Sequence, residues 1–185
     1  MTKKPVLDTE RLHLRPITRD DVEDLCEWIG LAEVYFYWGR GVSKSGLNPE
    51  LLFHDPRPHV KRKPSLDFHL GIVEKNKQKL IGDIWVFDIE NKRMAKVAYR
   101  LSPKFWGQGI ATEALSGIVR ICFEEMELQR LWTEVHSENL ASVRVLEKCG
   151  FIREGCIRQG KMVSVYCDYY IYGLLREDYE NILNQ

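Results

Sequence analysis

The stretch Tyr99-Arg100-Leu101-Ser102-Pro103-Lys104-Phe105-Trp106-Gly107-Gln108-Gly109-Ile110-Ala111-Thr112-Glu113-Ala114 carries the clearest chemical signal in this 185-residue chain. An alternating segment ends, two glycines follow, and apolar residues then recur at helical spacing. Free N–H groups at a helix start point outward with the helix dipole behind them, which suits an anion such as a pyrophosphate. Gly107 and Gly109 leave no side chain between that anion and the backbone, and Thr112 offers a hydroxyl in the first turn. Two other readings compete. Paired glycines can simply make a tight turn. Gly107 to Thr112 also imitates part of a dinucleotide fingerprint, but Thr112 replaces its last Gly or Ala, the loop follows a meander, and no acid ends the next strand at the required distance. That fingerprint is rejected.

The elements that must position this loop are legible from periodicity. Ile110, Ala114, Ile118, Cys122 and Met126 lie on one helical row, and Ala111, Leu115, Val119 and Phe123 on the next, predicting a well-buried helix from Ile110 to about Met126. Upstream, Leu66–Ile72, Leu80–Phe87 and Met94–Leu101 read as three strands joined by short turns, an antiparallel meander. Leu12–Leu14 is a short strand, and Thr18 caps a helix to about Ile29 with Val22, Leu25, Cys26 and Ile29 inside. A second short helix is expected after Asn48, with Pro49 at its first position. Downstream come a strand at Leu131–Val135, a helix at Leu140–Cys149 ended by Gly150, and strands at Phe151–Arg158 and Val165–Tyr172. Strand, helix and strand around the Ile110 helix predict a parallel pair through a right-handed crossover. The expected fold is a mixed α/β (α+β) single domain over residues 1–185: about seven mostly antiparallel strands with about four helices.

Bulk composition narrows the partners. Lys plus Arg and Asp plus Glu both number 27, and that balance argues against a nucleic acid or an anionic membrane. The five cysteines contain no CxxC pair, so neither a disulfide framework nor a metal site is expected. No apolar run approaches the ~20 residues of a bilayer span, and the first residues lack the apolar core of a signal peptide. The expected compartment is the cytoplasm.

Three motifs together resemble the GNAT superfamily of N-acetyltransferases, and most closely the branch of the ribosomal-protein alanine and serine N-acetyltransferases. They are Leu7-Asp8-Thr9-Glu10-Arg11-Leu12-His13-Leu14-Arg15-Pro16, the segment Phe105 to Ala114, and the set Asn139, Ser142, Glu147, Lys148, Cys149, Gly150, Phe151. The resemblance implies acetyl-CoA as co-substrate and an amine as acceptor, with no metal. It implies that backbone N–H groups of Gly107, Gln108, Gly109, Ile110, Ala111 and Thr112 hold the CoA pyrophosphate, with Trp106 also at the cofactor. It also implies that the central parallel strands splay, so that Leu101 and Ser102 pair with pantetheine, and that Asn139 contacts the cofactor arm. Trp106 departs from the pattern, since the superfamily often has Arg or Gln there. Many relatives use a tyrosine seven residues after the asparagine as the acid; here that position is Leu146, and Ser142 is the candidate hydrogen-bond donor to the sulfur. Glu134 and His136 share one face of the strand before Asn139, which makes Glu134 the candidate proton acceptor. Asp83 and Asp168 are weaker candidates, and Lys161 stands where some relatives carry a glutamate base. Several readings stay open: a base-free mechanism through waters, a helix-start role for Ser142, and a catalytically weak or inactive acyl-CoA-binding or sensing domain. Monomer and homodimer are both compatible with the sequence.

Overall fold

Period-2 alternation produces the sheet that the site is built on. The computed structural model describes residues 5–38, 66–91 and 93–184; the helix expected after Asn48 lies outside the described residues. Strands Leu7–Asp8 (β1), Leu12–Arg15 (β2), Phe68–Glu74 (β3), Lys79–Glu90 (β4) and Met94–Leu101 (β5) pair antiparallel in chain order. Arg130–His136 (β6), Ile152–Met162 (β7) and Val165–Leu175 (β8) complete an eight-stranded sheet ordered β1-β2-β3-β4-β5-β6-β8-β7. Among the described residues only β5 and β6 run parallel. The helices are Val22–Cys26 (α1), Ala32–Tyr35 (α2), Ile110–Arg120 (α3), Leu140–Lys148 (α4) and Arg176–Leu183 (α5). This is the single mixed α/β fold that the sequence implies, with eight strands and five α-helices among the described residues.

The parallel pair is short. Met94, Ala95 and Lys96 face Arg130, Leu131 and Trp132, and there the pairing stops. Beyond it β5 stays with β4 as far as Leu101 opposite Gly82, and β6 stays with β8 as far as His136 opposite Tyr169. Both strand ends are tied outward: the Ser102 N–H donates to Ile81 O at 2.7 Å and the Ser137 N–H to Asp168 O at 3.0 Å. A wedge therefore opens between the C-terminal halves of β5 and β6.

The two apolar rows of α3 close the core, with Ile110, Ala114, Leu115, Ile118, Val119, Cys122 and Phe123 all buried against the sheet. The regular α-helix ends at Arg120, short of the expected Met126. Residues Ile121–Glu125 form a wider turn, with the Met126 N–H on Ile121 O at 3.0 Å. The Arg176 guanidinium donates to the Phe123 and Leu128 carbonyls, satisfying acceptors that the helix end leaves open. The first helix is also shorter than expected. A 3-10 turn over Arg19–Asp21 leads into α1, which stops at Cys26. Tertiary contact decides this: Asp24 accepts the Leu80 N–H at 2.7 Å, and Trp28, not the exposed Cys26, packs with Leu25, Ile29, Val73 and Leu80.

Candidate functional site

The loop between β5 and α3 has the geometry its glycines suggest. Gly107 and Gly109 take φ of +73° and +77°, a region that costs other residues about 1–2 kcal/mol. Gly109 is the N-cap of α3, and a Cβ built at Gly107 would meet nothing within 4 Å. The loop thus opens onto free space at Gly107.

A second motif braces the loop from behind. The Glu113 carboxylate, in the first turn of α3, accepts from Thr9 Oγ1 (2.5 Å), the Arg11 N–H (2.7 Å) and Arg11 Nε (2.6 Å). Arg11 Nη1 then donates to Gln108 O at 2.9 Å, and Nη2 lies 3.5 Å from where a Gly109 Cβ would stand. These bonds hold Glu113 below its ordinary pKa, overcoming the burial that would raise it. The N-terminal motif and the glycine loop are one device, although the sequence shows no link between segments a hundred residues apart.

Facing the loop is α4. Asn139 caps it, its side-chain oxygen accepting the Ser142 N–H at 3.1 Å, so its Nδ2 donor is left for the cleft. Its C-terminus closes as the glycine predicts: Gly150 has φ +85°, with the Gly150 N–H on Glu147 O and the Phe151 N–H on Leu146 O, both 3.0 Å. Cys149 is buried, donates to Thr112 O at 3.5 Å and has its thiol pushed up by burial, a poor setting for a nucleophile.

Between loop and α4 runs a cleft of about 530 Å³, the size of a small-molecule site. Leu101, Trp106, Gly107, Gly109, Ile110, Ala111, Thr112, Asn139 and Ser142 line it. Ser102 and the Gln108 side chain do not line it, and the Gln108 backbone N–H stays in the loop. The Ser102 N–H is spent on Ile81 O, and the Gln108 side chain donates to Lys104 O at 2.9 Å. Trp106, where the sequence departs from the GNAT pattern, donates its indole N–H to Leu101 O at 2.8 Å. Arg144 and Lys148, one turn apart on α4, bring positive charge to the same cleft.

A second cavity, about 150 Å³, fills the wedge and contains Lys96, Thr133, Glu134, His136 and Leu146. Tyr37, Trp38, Tyr99, Asn139 and Ser142 line both cavities, so the two meet at these side chains. Glu134 accepts from Lys96 Nζ at 2.6 Å, and among the described residues its other oxygen takes no hydrogen bond. His136 Nδ1 accepts the Glu138 N–H at 3.2 Å, which leaves the proton of a neutral ring on Nε2. Leu146 is buried, while Lys161 is exposed on β7.

Sequence reasoning passed over the network beneath this junction. Arg100 bonds Asp83 through Nε (3.0 Å) and Nη2 (2.5 Å) and donates to Tyr35 OH at 2.6 Å. Its guanidinium lies 4.6–5.7 Å from the ring centres of Trp28, Tyr35, Trp38 and Trp85. His69 Nε2 meets Asp83 Oδ2 at 3.1 Å and stacks on Trp85. Burial would push the Asp83 carboxyl up, but the Arg100 charge and the bonds from His69 and Arg100 outweigh it and hold the group below its ordinary value. Asp83 is thus a fully engaged structural carboxylate. The signal was the facing pair Asp83 and Arg100, directly opposite across β4 and β5. Asp168, the other mid-strand acid, accepts the Gln159 N–H at 2.8 Å and braces the β7–β8 hairpin. No three His, Cys, Asp or Glu side chains among the described residues cluster so as to hold a metal, and no described helix is long and apolar enough to cross a membrane.

Known proteins resemble this chain in sequence and fold. Residues 11–152 match the acetyltransferase (GNAT) domain family. An N-acetyltransferase of Bacillus subtilis, YoaA, is 32% identical over 156 residues, covering 84% of this chain and 87% of the relative. The ribosomal-protein-serine acetyltransferase of Escherichia coli is 32% identical over 96 residues, 51% of this chain and 54% of that one. In fold, the spermidine N-acetyltransferase of Vibrio cholerae, solved with CoA and spermine, superposes with a TM-score of 0.77 at 22% identity, covering 94% and 100% of the two chains. With a glycine loop opening a buried helix, a splayed parallel pair and a family match across most of its length, the chain belongs to the GNAT acetyltransferase family and is an N-acetyltransferase.

Proposed function

We propose that the chain moves an acetyl group from acetyl-CoA onto a primary amine, at a protein N-terminus or on a small molecule, by direct attack within a ternary complex. The observation that carries this reading is the meeting of two cavities at Tyr99, Asn139 and Ser142. A donor held in the larger cleft and an acceptor entering through the wedge would touch there. Acetyl-CoA supplies the acetyl group as a thioester whose sulfur can leave.

The residues fit such a ligand. Amides from Gly107 to Thr112 would take the diphosphate, with charge added by Arg144 and Lys148 in the cleft. The open edge of β5 at Leu101 would pair with the pantetheine arm once Trp106 releases the Leu101 carbonyl. Asn139 Nδ2 would bind the same arm, and the Ser142 hydroxyl would donate to the sulfur as charge develops on it. Glu134 would draw the acceptor amine into the wedge and accept its proton, directly or through water. Lys96 already pairs with Glu134, so an acceptor ammonium would have to displace it from the carboxylate. Two relatives support the acceptor class: one is named for a ribosomal-protein serine, the other for spermidine.

Free thiol released from acetyl-CoA over a panel of amines and N-terminal peptides tests the proposal. Acceptor-dependent release is expected; tight binding of acetyl-CoA with no turnover on any acceptor would replace the proposal with a sensing role. Ser142→Ala should lower kcat about 10- to 100-fold, the worth of a hydrogen bond to a charged group. The Kd for acetyl-CoA should hardly change, and wild-type turnover would remove Ser142 from the chemistry.

A further inference from the structure

Tyr99 is the odd polar group at the junction. It stands on β5, among the residues that face α3 and α4, packed against the main core. Its hydroxyl oxygen is one of two buried side-chain oxygens with no hydrogen bond among the described residues. Buried hydroxyls usually have a partner, and one without a partner is a loss the fold must carry for some reason. A phenylalanine would fill the same space without that loss. The polar side chain that acts on the Tyr99 hydroxyl is Ser142, in the first turn of α4. Tyr99 and Ser142 both line the cleft and the wedge cavity.

We propose that Tyr99 is a positioning residue for acetyl transfer: when the cleft is filled, its O–H donates to Ser142 Oγ and turns the Ser142 proton toward the CoA sulfur. A serine hydroxyl both accepts and donates, and its proton rotates to suit its surroundings. Accepting from Tyr99 takes one lone pair of Ser142 and leaves its single proton for the sulfur. Burial pushes the Tyr99 phenol up, with Ser142 opposing, so the ring keeps its proton throughout the working range. Tyr99 is therefore a donor and not an acid. In the transfer itself the amine nitrogen bonds the acetyl carbon, the carbon–sulfur bond breaks with its electron pair on sulfur, and the proton lost by the amine passes to Glu134, directly or through water, leaving CoA as the thiolate. Tyr99 and Ser142 stabilise that sulfur without giving up a proton.

This rests on the acetyl-CoA reading of the cleft, and calorimetry with CoA and desulfo-CoA separates the two. In the wild type at alkaline pH, CoA should bind more tightly than desulfo-CoA. In Tyr99→Phe that preference should shrink about 3- to 10-fold, with desulfo-CoA affinity unchanged. The same loss should appear in Ser142→Ala, and Tyr99→Phe should add nothing to it. Where an amine acceptor supports turnover, kcat should fall with little change in KM for acetyl-CoA. The Tm of Tyr99→Phe should stay level or rise, since an unsatisfied hydroxyl has been removed; a structural tyrosine would lower it. An undiminished preference in Tyr99→Phe, or losses that multiply in the double variant, would overturn the inference while leaving the cleft's ligand in place. No binding of either compound by the wild type would overturn the ligand assignment and the inference with it.

Discussion

Gly109→Trp should bind CoA at least about 100-fold more weakly than the wild type, a loss of roughly 2.7 kcal/mol or more. The argument is steric and local. Gly109 sits at φ +77° as the N-cap of α3 and lines the cleft beside the amides proposed to hold the ligand. An indole there would occupy the space proposed for the diphosphate. The substitution also carries backbone strain of about 1–2 kcal/mol, so a control is needed. Gly109→Ala bears the same strain, and its Cβ meets only Arg11 Nη2 at an ordinary 3.5 Å. Its affinity should stay within about tenfold of the wild type. Equal losses in both variants would make Gly109 a turn residue and no more.

Asp83→Asn should unfold roughly 6–20 °C below the wild type. Asp83 is wholly buried and bonded to Arg100 and His69, and Arg100 is itself only 8% exposed. Removing one charge strands the other in a low-dielectric interior, which costs about 3–5 kcal/mol, and each kcal/mol moves the Tm of a domain this size by about 2–4 °C. Replacing both Asp83 and Arg100 by leucine should cost less than the single change, because no charge is then left uncompensated. The pH dependence carries a sign. A carboxyl held below its ordinary value stabilises the fold above that value, and the contribution fades as pH falls through the folded pKa. The gap in Tm between wild type and Asp83→Asn should therefore narrow below about pH 4. A constant gap from pH 7 to pH 3 would place the stabilisation elsewhere.

Much of the frame could be read from residue order because its signals are local. The rows of α3, the glycine after α4 and the alternating strands each depend on residues within a few positions of one another, and all appear in the structure. What the sequence concealed was set by distant partners. Nothing near Cys26 says that α1 will stop there so that Trp28 can pack on Val73 and Leu80. The pair Leu7–Asp8 is too short to show a period, and it becomes a strand only because β2 lies beside it. In the site, the loop residues were found because their backbone conformation depends on glycine. Tyr99 and Lys96 were missed because their roles depend on the wedge, and the wedge exists only once β4 and β8 pull β5 and β6 apart. Ser102 shows the converse: its position in the motif suggested a free amide, and β4 had already claimed it.

Amide chemical shifts followed during CoA titration test the anion grip most directly. The account predicts that the N–H signals of Gly107 to Thr112, with both glycines readily resolved, move first and furthest, together with Arg11 Nε. Saturating CoA that shifts residues elsewhere and leaves these amides unmoved would contradict it.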